Sequence, residues 1–479
     1  MNVGREWEEL DRVPWERYGV GELPDVLRAL ASTDVDTSQE ALEELYGLLL
    51  DLGSTATPAT VQAVPWIARL CAAGLRTSAL LFFLGRVAAS EEEQDISPGA
   101  ARASVAAQLP TLLPLLRHHE AEVRQLAVWA VAQCRSPENS WEALAARWEV
   151  EKESSVRRDL LFGSVLLDAL SSRRLVSTAL SVGQPDEVRL AALVVVPDTG
   201  LPWTAEMTAS TVSLLPASDR IGQTPWLTDP FPDLVERLVQ RGRPGEAMEV
   251  VTAALRAEGE DRADARKEGV WGAGKLGEHR PEVRLRLLPL LLALVDDPGT
   301  AAERLVNAWR KNDDVIEREL VRLASGDDDV LADRALSVLI AADVPEAMSL
   351  LARHLSDRPR ALAATVVSEA GGRIRYVRPL ACDAALLEAV RARLVSDGVG
   401  EEEAVYLLGL LAHWGPKAGS AIPELLAVLP RFPRRVPEVL ASVVAGVEEY
   451  REAVVDALEA AVGRPEGGEA AAAALRRLA

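Results

Sequence analysis

The sequence predicts an all-α solenoid, and three observations carry that prediction. The phrase Leu112-Leu113-Pro114-Leu115-Leu116 returns as Leu287-Leu288-Pro289-Leu290-Leu291, and looser versions open at Pro24, Pro65, Pro345 and Pro423. A second, amphipathic phrase follows within about ten residues, as paired helices of a repeat require: His119 to Ala130 after the first copy, Ala301 to Trp309 after the second. Finally, 479 residues are too many for one compact core, yet no Ser/Gly-rich or Pro-rich linker divides them. Stacked repeats resolve that conflict, because each unit buries its apolar face against its neighbours and length grows without a larger core.

The Pro-then-leucine phrases read as helix starts, since Pro is tolerated in a first turn where its missing N–H has no partner. A composition of 48% hydrophobic but 4% aromatic residues fits helices packed through Ala, Leu and Val. Runs that could be strands, such as Leu193-Val194-Val195-Val196, are short and flanked by helical patterning.

In chain order, residues 1–22 hold Trp7, Pro14-Trp15 and Tyr18 and read as an aromatic N-terminal cap, closing the unpaired face of the first repeat. Repeats fill 23–196, including hairpins of Pro58 to Ala72 with Thr77 to Ala89; the acidic run Glu91 to Asp95 reads as a solvated loop. Glu-Val-Arg recurs at Glu122, Glu187 and Glu282, spacings of 65 and 95 residues, close to two and three periods of about 32. The Arg of that step would open a second helix and pair with an acidic residue of the adjacent turn, forming a ladder between repeats. Residues 197–232 form a Pro/Trp-rich insertion around Pro202-Trp203 and Pro225-Trp226, with one short helix from Ala205 to Leu215 inside. The insertion either packs across the solenoid or projects as a binding element. Repeats resume over 233–479, interrupted by the loop Gly371 to Pro379 and ending in a closing helix from Glu469.

A formal charge of −21, from 73 acidic and 52 basic residues, disfavours nucleic acid as a partner and favours a basic protein. Only five of the basic residues are Lys, which with abundant Ala, Val, Leu and Gly indicates a GC-rich bacterial genome and deprives Arg enrichment of functional weight. Cys71, Cys134 and Cys382 lie far apart in apolar stretches, unlike a disulfide framework. The polar start at Met1 to Leu10 carries no signal peptide pattern, and no run of 18 apolar residues could span a bilayer. A soluble cytoplasmic protein is expected, with no membrane partner.

Chemistry-bearing motifs are sparse. No metal is expected, because none of the five histidines has a second ligand at metal spacing, and the adjacent pair His118-His119 would diverge by about 100° on a helix. No phosphate-binding Gly-rich loop or nucleophile elbow is present, so no cofactor is expected; Gly269 to Lys275 lacks the spacing and the Ser/Thr. Two groups remain as binding candidates. Trp203 and Trp226 are expected to be exposed because their loop has no apolar stripe, whereas Trp129, Trp309 and Trp414 fall on stripes and should be buried. Arg373, Arg375 and Arg378 surround Tyr376 and could clamp a carboxylate or phosphate of a small anionic ligand, or pair with neighbouring acids; Arg431, Arg434 and Arg435 are a weaker echo.

Residues 112 to 133, 287 to 309 and 407 to 429 resemble HEAT repeats, whose pattern is an apolar first helix with Pro, an Asp-containing turn and a second helix opening with Val-Arg; the first stretch keeps most of it with Glu in place of Asp, and the second keeps the Asp and Arg304 but loses the Val. The segment Trp7 to Ala89 looks like the start of HEAT-repeat proteins of GC-rich filamentous bacteria. The resemblance implies an all-α, right-handed solenoid of about a dozen HEAT-like hairpins, whose second helices line a concave groove that holds another protein.

The expected function is therefore protein binding, as a scaffold, adaptor or immunity-like inhibitory partner. The alternative is an enzyme whose groove acts on a small anionic substrate. A DNA glycosylase-like activity, as in a few HEAT-like proteins, would draw on Trp129, Trp141, Trp148 or Trp271 with Asp168 or Asp264.

Overall fold

The computed structural model describes residues 3–32, 34–51, 55–215, 225–226, 229–259, 262–295, 297, 299–357 and 380–479. Two compact units divide the chain, Met1–His279 and Arg280–Ala479.

The first unit opens with α1 (Val3–Asp11), a 3-10 turn at Trp15–Tyr18, and the pair α2 (Leu23–Leu30) and α3 (Val35–Leu49). Buried Trp15 donates its indole N–H to the Leu10 carbonyl at 2.9 Å, and the Arg28 guanidinium lies over the Trp7 ring. Then come α4 (Pro58–Ala72) and α5 (Thr77–Ala89), followed by the short α6 (Ala100–Ala106) and α7 (Leu109–Leu112), a 3-10 turn at Leu113–Arg117, and α8 (Ala121–Gln133). The remaining helices are α9 (Pro137–Val150), α10 (Ser154–Leu167), α11 (Arg173–Ala179), α12 (Asp186–Thr199), α13 (Ala205–Leu214), α14 (Pro230–Gln240), α15 (Pro244–Leu255) and α16 (Ala263–His279). Helices α5, α8, α10, α12, α14 and α16 lie side by side in that order, one row built from the second helix of each pair, while α13 packs on α12 and α15.

Local chemistry sets many of these boundaries. Asp34 caps α3 by accepting the Thr37 N–H at 3.0 Å, and Thr57 and Thr60 form a reciprocal capping box ahead of Pro58 on α4. Pro65, by contrast, lies inside α4 rather than opening a helix. Among the described residues the only strands are Leu50–Asp51 and Thr55–Ala56, an antiparallel pair that Glu93 joins by one bridge to Ala56. The acidic run is thus partly anchored: Glu91 and Glu92 are exposed, but the Glu93 carboxylate turns inward and accepts the Ala101 N–H at 2.9 Å.

The Val-Arg step at Val123 opens α8 and makes one rung of the expected ladder, whereas at the Val188 step Arg189 faces Asp186 of its own helix at 3.5 Å. Arg124 reaches Glu151, at the end of α9, through Nε at 2.9 Å and a terminal nitrogen at 3.0 Å, and Arg147 joins the same carboxylate. At Val283 the step differs. It leads directly into α17 (Arg284–Leu292), the helix that itself contains the returning Leu-Leu-Pro phrase, so here the step opens the first helix of a pair rather than the second, while the phrase precedes and packs on the second helix in both copies.

The second unit continues with α18 (Ala302–Asn312), α19 (Asp314–Ala324), α20 (Asp329–Ala341), α21 (Pro345–Asp357), α22 (Ala384–Leu394), α23 (Glu401–Trp414), α24 (Ile422–Val428), α25 (Val436–Val443), α26 (Glu448–Val462) and α27 (Gly468–Leu478). Here α19 packs on α20, α21 on α22, and α27 on both α25 and α26. The buried His354 ring on α21 ties three helices, with Nε2 2.7 Å from the Ala324 carbonyl and Nδ1 3.4 Å from Asp333. Both units are helical-repeat assemblies with apolar Ala, Leu and Val cores, and the chain is an all-α solenoid. Among the described residues no helix is long and apolar enough to cross a membrane.

Candidate functional site

Along the second-helix row of the first unit runs a groove of about 710 Å³, a size typical of ligand and side-chain sites. Its apolar wall comes from Trp129 on α8, Phe162, Val165 and Leu166 on α10, and Val195 on α12; Pro225 and Trp226 lie over them. A smaller recess of about 340 Å³ continues past Trp129 and Pro225 toward Phe82, Arg86, Glu91 and Glu92.

Trp226 organises the floor. Its ring lies 5.9 Å from Phe162 at an interplanar angle of 23° and meets Trp129 edge to face. Beneath it sits Asp159, 1% exposed, which accepts Arg158 Nε at 2.8 Å and Gln125 Nε2 at 3.2 Å. Burial dominates and pushes this carboxyl up to about 6, against the pull of Arg158 and the hydrogen bonds. Arg158 is itself buried and also faces Glu187 at 3.7 Å. This polar cluster is sealed from the groove, so its part is to seat the ring above it.

The opposite wall is α14, whose Asp233, Glu236, Arg237, Gln240 and neighbouring Arg241 line the groove. Arg237 and Arg241 both engage Asp198 of α12, Arg241 through Nε at 2.9 Å and Arg237 through a terminal nitrogen. Asp233 is half-buried and its side chain makes no hydrogen bond or ion pair among the described residues; burial, with Glu236 and Asp229 nearby, raises its carboxyl above the usual range, opposed by Arg237 and Lys275. Glu236 accepts Gln240 Nε2 at 2.9 Å and faces His279 at 3.8 Å.

Of the residues singled out from sequence, Trp226 lies in the groove and is half-buried rather than exposed. Trp203 is also half-buried, donates to Thr208 Oγ1 at 2.9 Å and does not line the groove. Arg373, Arg375, Tyr376 and Arg378 lie outside the described residues. Arg431 holds the carbonyls of Ser396 and Val399 at 3.1 and 3.0 Å, a loop-fastening role. Trp129, Trp309 and Trp414 are buried as their stripes require.

The residues named for base chemistry have separate local roles. Trp141 donates to Ser172, Trp148 is covered by Arg157, Trp271 is exposed on α16, Asp168 accepts the Leu170 and Ser171 N–H groups, and Asp264 stands in the first turn of α16. Gly269 to Lys275 is likewise an interior segment of α16. Among the described residues no group of three His, Cys, Asp or Glu side chains is placed to hold a metal ion. Cys71 and Cys134 are buried thiols, each pushed up to about 12 by desolvation.

Asp159, Asp198 and Asp233 escaped the sequence reading. For Asp159 a signal existed, since it falls three residues after Val156 and three before Phe162, on the buried stripe of α10 where a carboxylate demands a partner. Nothing comparable marks Asp233, whose role depends on helices far apart in sequence.

No protein-family model and no curated protein sequence matches the chain. Solved structures similar to it include the karyopherin Kap121p bound to the extreme C-terminus of the protein phosphatase Cdc14p, with 12% identity and a TM-score of 0.45 over 97% of this chain and 55% of that one. Two others are Kap121p bound to Nup53p, with 13% identity and a TM-score of 0.44 over 96% and 52%, and Kap121p bound to RanGTP, with 14% identity and a TM-score of 0.42 over 97% and 57%. The chain spans about half the length of these proteins.

Proposed function

We propose that the chain is a protein-binding scaffold or inhibitory partner of HEAT-repeat type, which holds a segment of another protein in the groove of its first unit. The observation that carries this reading is the groove itself. It combines a large aromatic and aliphatic wall with charged residues at its edge, the pattern of a recognition surface in which buried anchors supply affinity and flanking polar groups supply register. A similar volume of about 700 Å³ between the Leu113–Arg117 turn and α9 has no aromatic lining and is the weaker candidate. The charge of −21 favours encounter with a basic partner in a bacterial cytoplasm.

The test is affinity capture with three baits: the unaltered chain, Leu166→Arg, which places a cation in the groove, and Val182→Arg at a position 85% exposed and outside it. A stoichiometric protein retained by the first and third baits and lost by the second is the expected result. Equal capture by all three, or a co-purifying metabolite without any protein, would overturn the reading.

A further inference from the structure

Building on the groove as the docking place, we propose that the segment it takes presents one basic side chain, lysine or arginine, with its aliphatic stem along Trp226 and Leu166 and its charged end facing Asp233 and Glu236. The groove offers both halves of that chemistry. Long basic side chains lay their methylenes on apolar surface while the head seeks an anion, and an indole face attracts the cation directly. Trp226 is half-buried, leaving part of its ring available on the groove.

Charge complementarity selects a cation over an anion. Three carboxylates and three guanidiniums line the groove, yet their commitments differ. Arg237 and Arg241 share Asp198, whose two oxygens are both engaged and whose side chain is only 12% exposed. Arg237 and Lys275 also act on Asp233 from a distance, but burial with Glu236 and Asp229 outweighs them and keeps its carboxyl above the usual range. Asp233 is left without a hydrogen bond or ion pair among the described residues, and Glu236 has only an amide and an imidazole close by. A half-buried carboxylate in that position carries a desolvation penalty that Arg237 and Lys275 offset only in part, so an incoming ammonium or guanidinium gains there what an incoming anion would lose. The overall charge of −21 draws basic segments from a distance.

The experiment pans a random displayed-peptide library against the full chain. The affinities of selected peptides are then measured by fluorescence anisotropy for the unaltered chain, Leu166→Arg, Asp233→Asn/Glu236→Gln, and the charge-matched control Glu452→Gln/Glu459→Gln on exposed positions of α26. The expected peptides share one Lys or Arg flanked by apolar residues. Their binding is lost in Leu166→Arg, weakened about tenfold or more in Asp233→Asn/Glu236→Gln, matched by exchanging the peptide's basic residue for Met, and unchanged in the control. Peptides that need an open groove but ignore Asp233→Asn/Glu236→Gln would overturn the basic side chain and leave the groove reading standing. A library that yields only peptides indifferent to Leu166→Arg, or none at all, would overturn both.

Discussion

Trp226 meets Trp129 edge to face, with ring centroids 4.9 Å apart and planes at 89°. A residue outside any helix thereby rests on a second-row helix, and its contact with Phe162 extends the support to the next helix of that row. Aromatic pairs in such geometry contribute about 0.5–1.5 kcal/mol beyond the area they bury. Trp226 is therefore part of the groove's architecture as well as of its surface.

Trp129 can hold this position because α5 presents Gly85 beneath it. A Cβ at Gly85 would stand 2.1 Å from Trp129 Nε1 and 2.2 Å from Cδ1. Gly85→Ala would stabilise an unobstructed helix by about 1 kcal/mol. Here overpacking reverses the sign, and a net loss of about 1–3 kcal/mol is expected. Denaturant unfolding should show a lower midpoint, and the near-ultraviolet circular dichroism should change as the two indoles separate. A higher midpoint with an unaltered spectrum would show that Trp129 is not clamped.

Helix existence was legible from local patterning, and the groove was not. Pro58 and Ala72 bound α4, and Thr77 and Ala89 bound α5, as the sequence predicts, because capping and apolar periodicity are properties of neighbouring residues. Pro65 and Pro289 misled for the same reason: each precedes a leucine-rich phrase but lies inside a helix already begun. Trp226 was legible as a residue without a stripe, which suggested exposure. Its burial comes instead from Trp129 and Phe162, which lie 97 and 64 positions earlier (226 − 129 and 226 − 162), a pairing fixed only when repeats stack.

In the second unit, Arg393 and Glu403 form a two-pronged ion pair, Nε to Oε1 at 2.5 Å and a terminal nitrogen to Oε2 at 2.8 Å, with both residues buried. Arg393→Met or Glu403→Leu alone strands one charge and should cost about 3–5 kcal/mol. The double replacement should cost less than either, because neither charge is left behind. A double-mutant cycle by chemical denaturation reads this directly, and additive losses would mean the two side chains are not coupled.

Glu151 sets an acid limit for the first unit. Burial alone would raise its carboxyl, but hydrogen bonds from Arg124, the Glu153 N–H and Arg147 outweigh that and hold it at about 2, below its ordinary 4.5. Because the folded value is depressed, the contribution is fully present above about 4.5 and is lost as pH falls through about 2; the difference corresponds to roughly 3 kcal/mol. Glu151→Gln should be less stable than the unaltered chain by about that amount at pH 7, with the gap closing below pH 4.5. Stability curves that stay parallel down to pH 2.5 would exclude this origin.

Asp159 acts in the opposite direction. Its folded value of about 6 lies above the ordinary 3.8, so the native state binds the extra proton between these values. The contribution is complete below about 3.8 and is lost as pH rises through about 6, a change on the order of 3 kcal/mol. Asp159→Asn does not titrate, so the unaltered chain should lose stability relative to it between pH 4 and 6.5, with no further change above pH 7. Intrinsic tryptophan fluorescence, which Trp129 and Trp226 place beside the titrating group, is a suitable probe of denaturant unfolding at each pH. With Glu151 stabilising above its window and Asp159 below its own, the two buried carboxylates together favour the first unit most near pH 4 to 5. An Asp159→Asn difference that does not vary with pH would mean that Arg158 keeps Asp159 ionised throughout, and that burial is not the dominant influence on it.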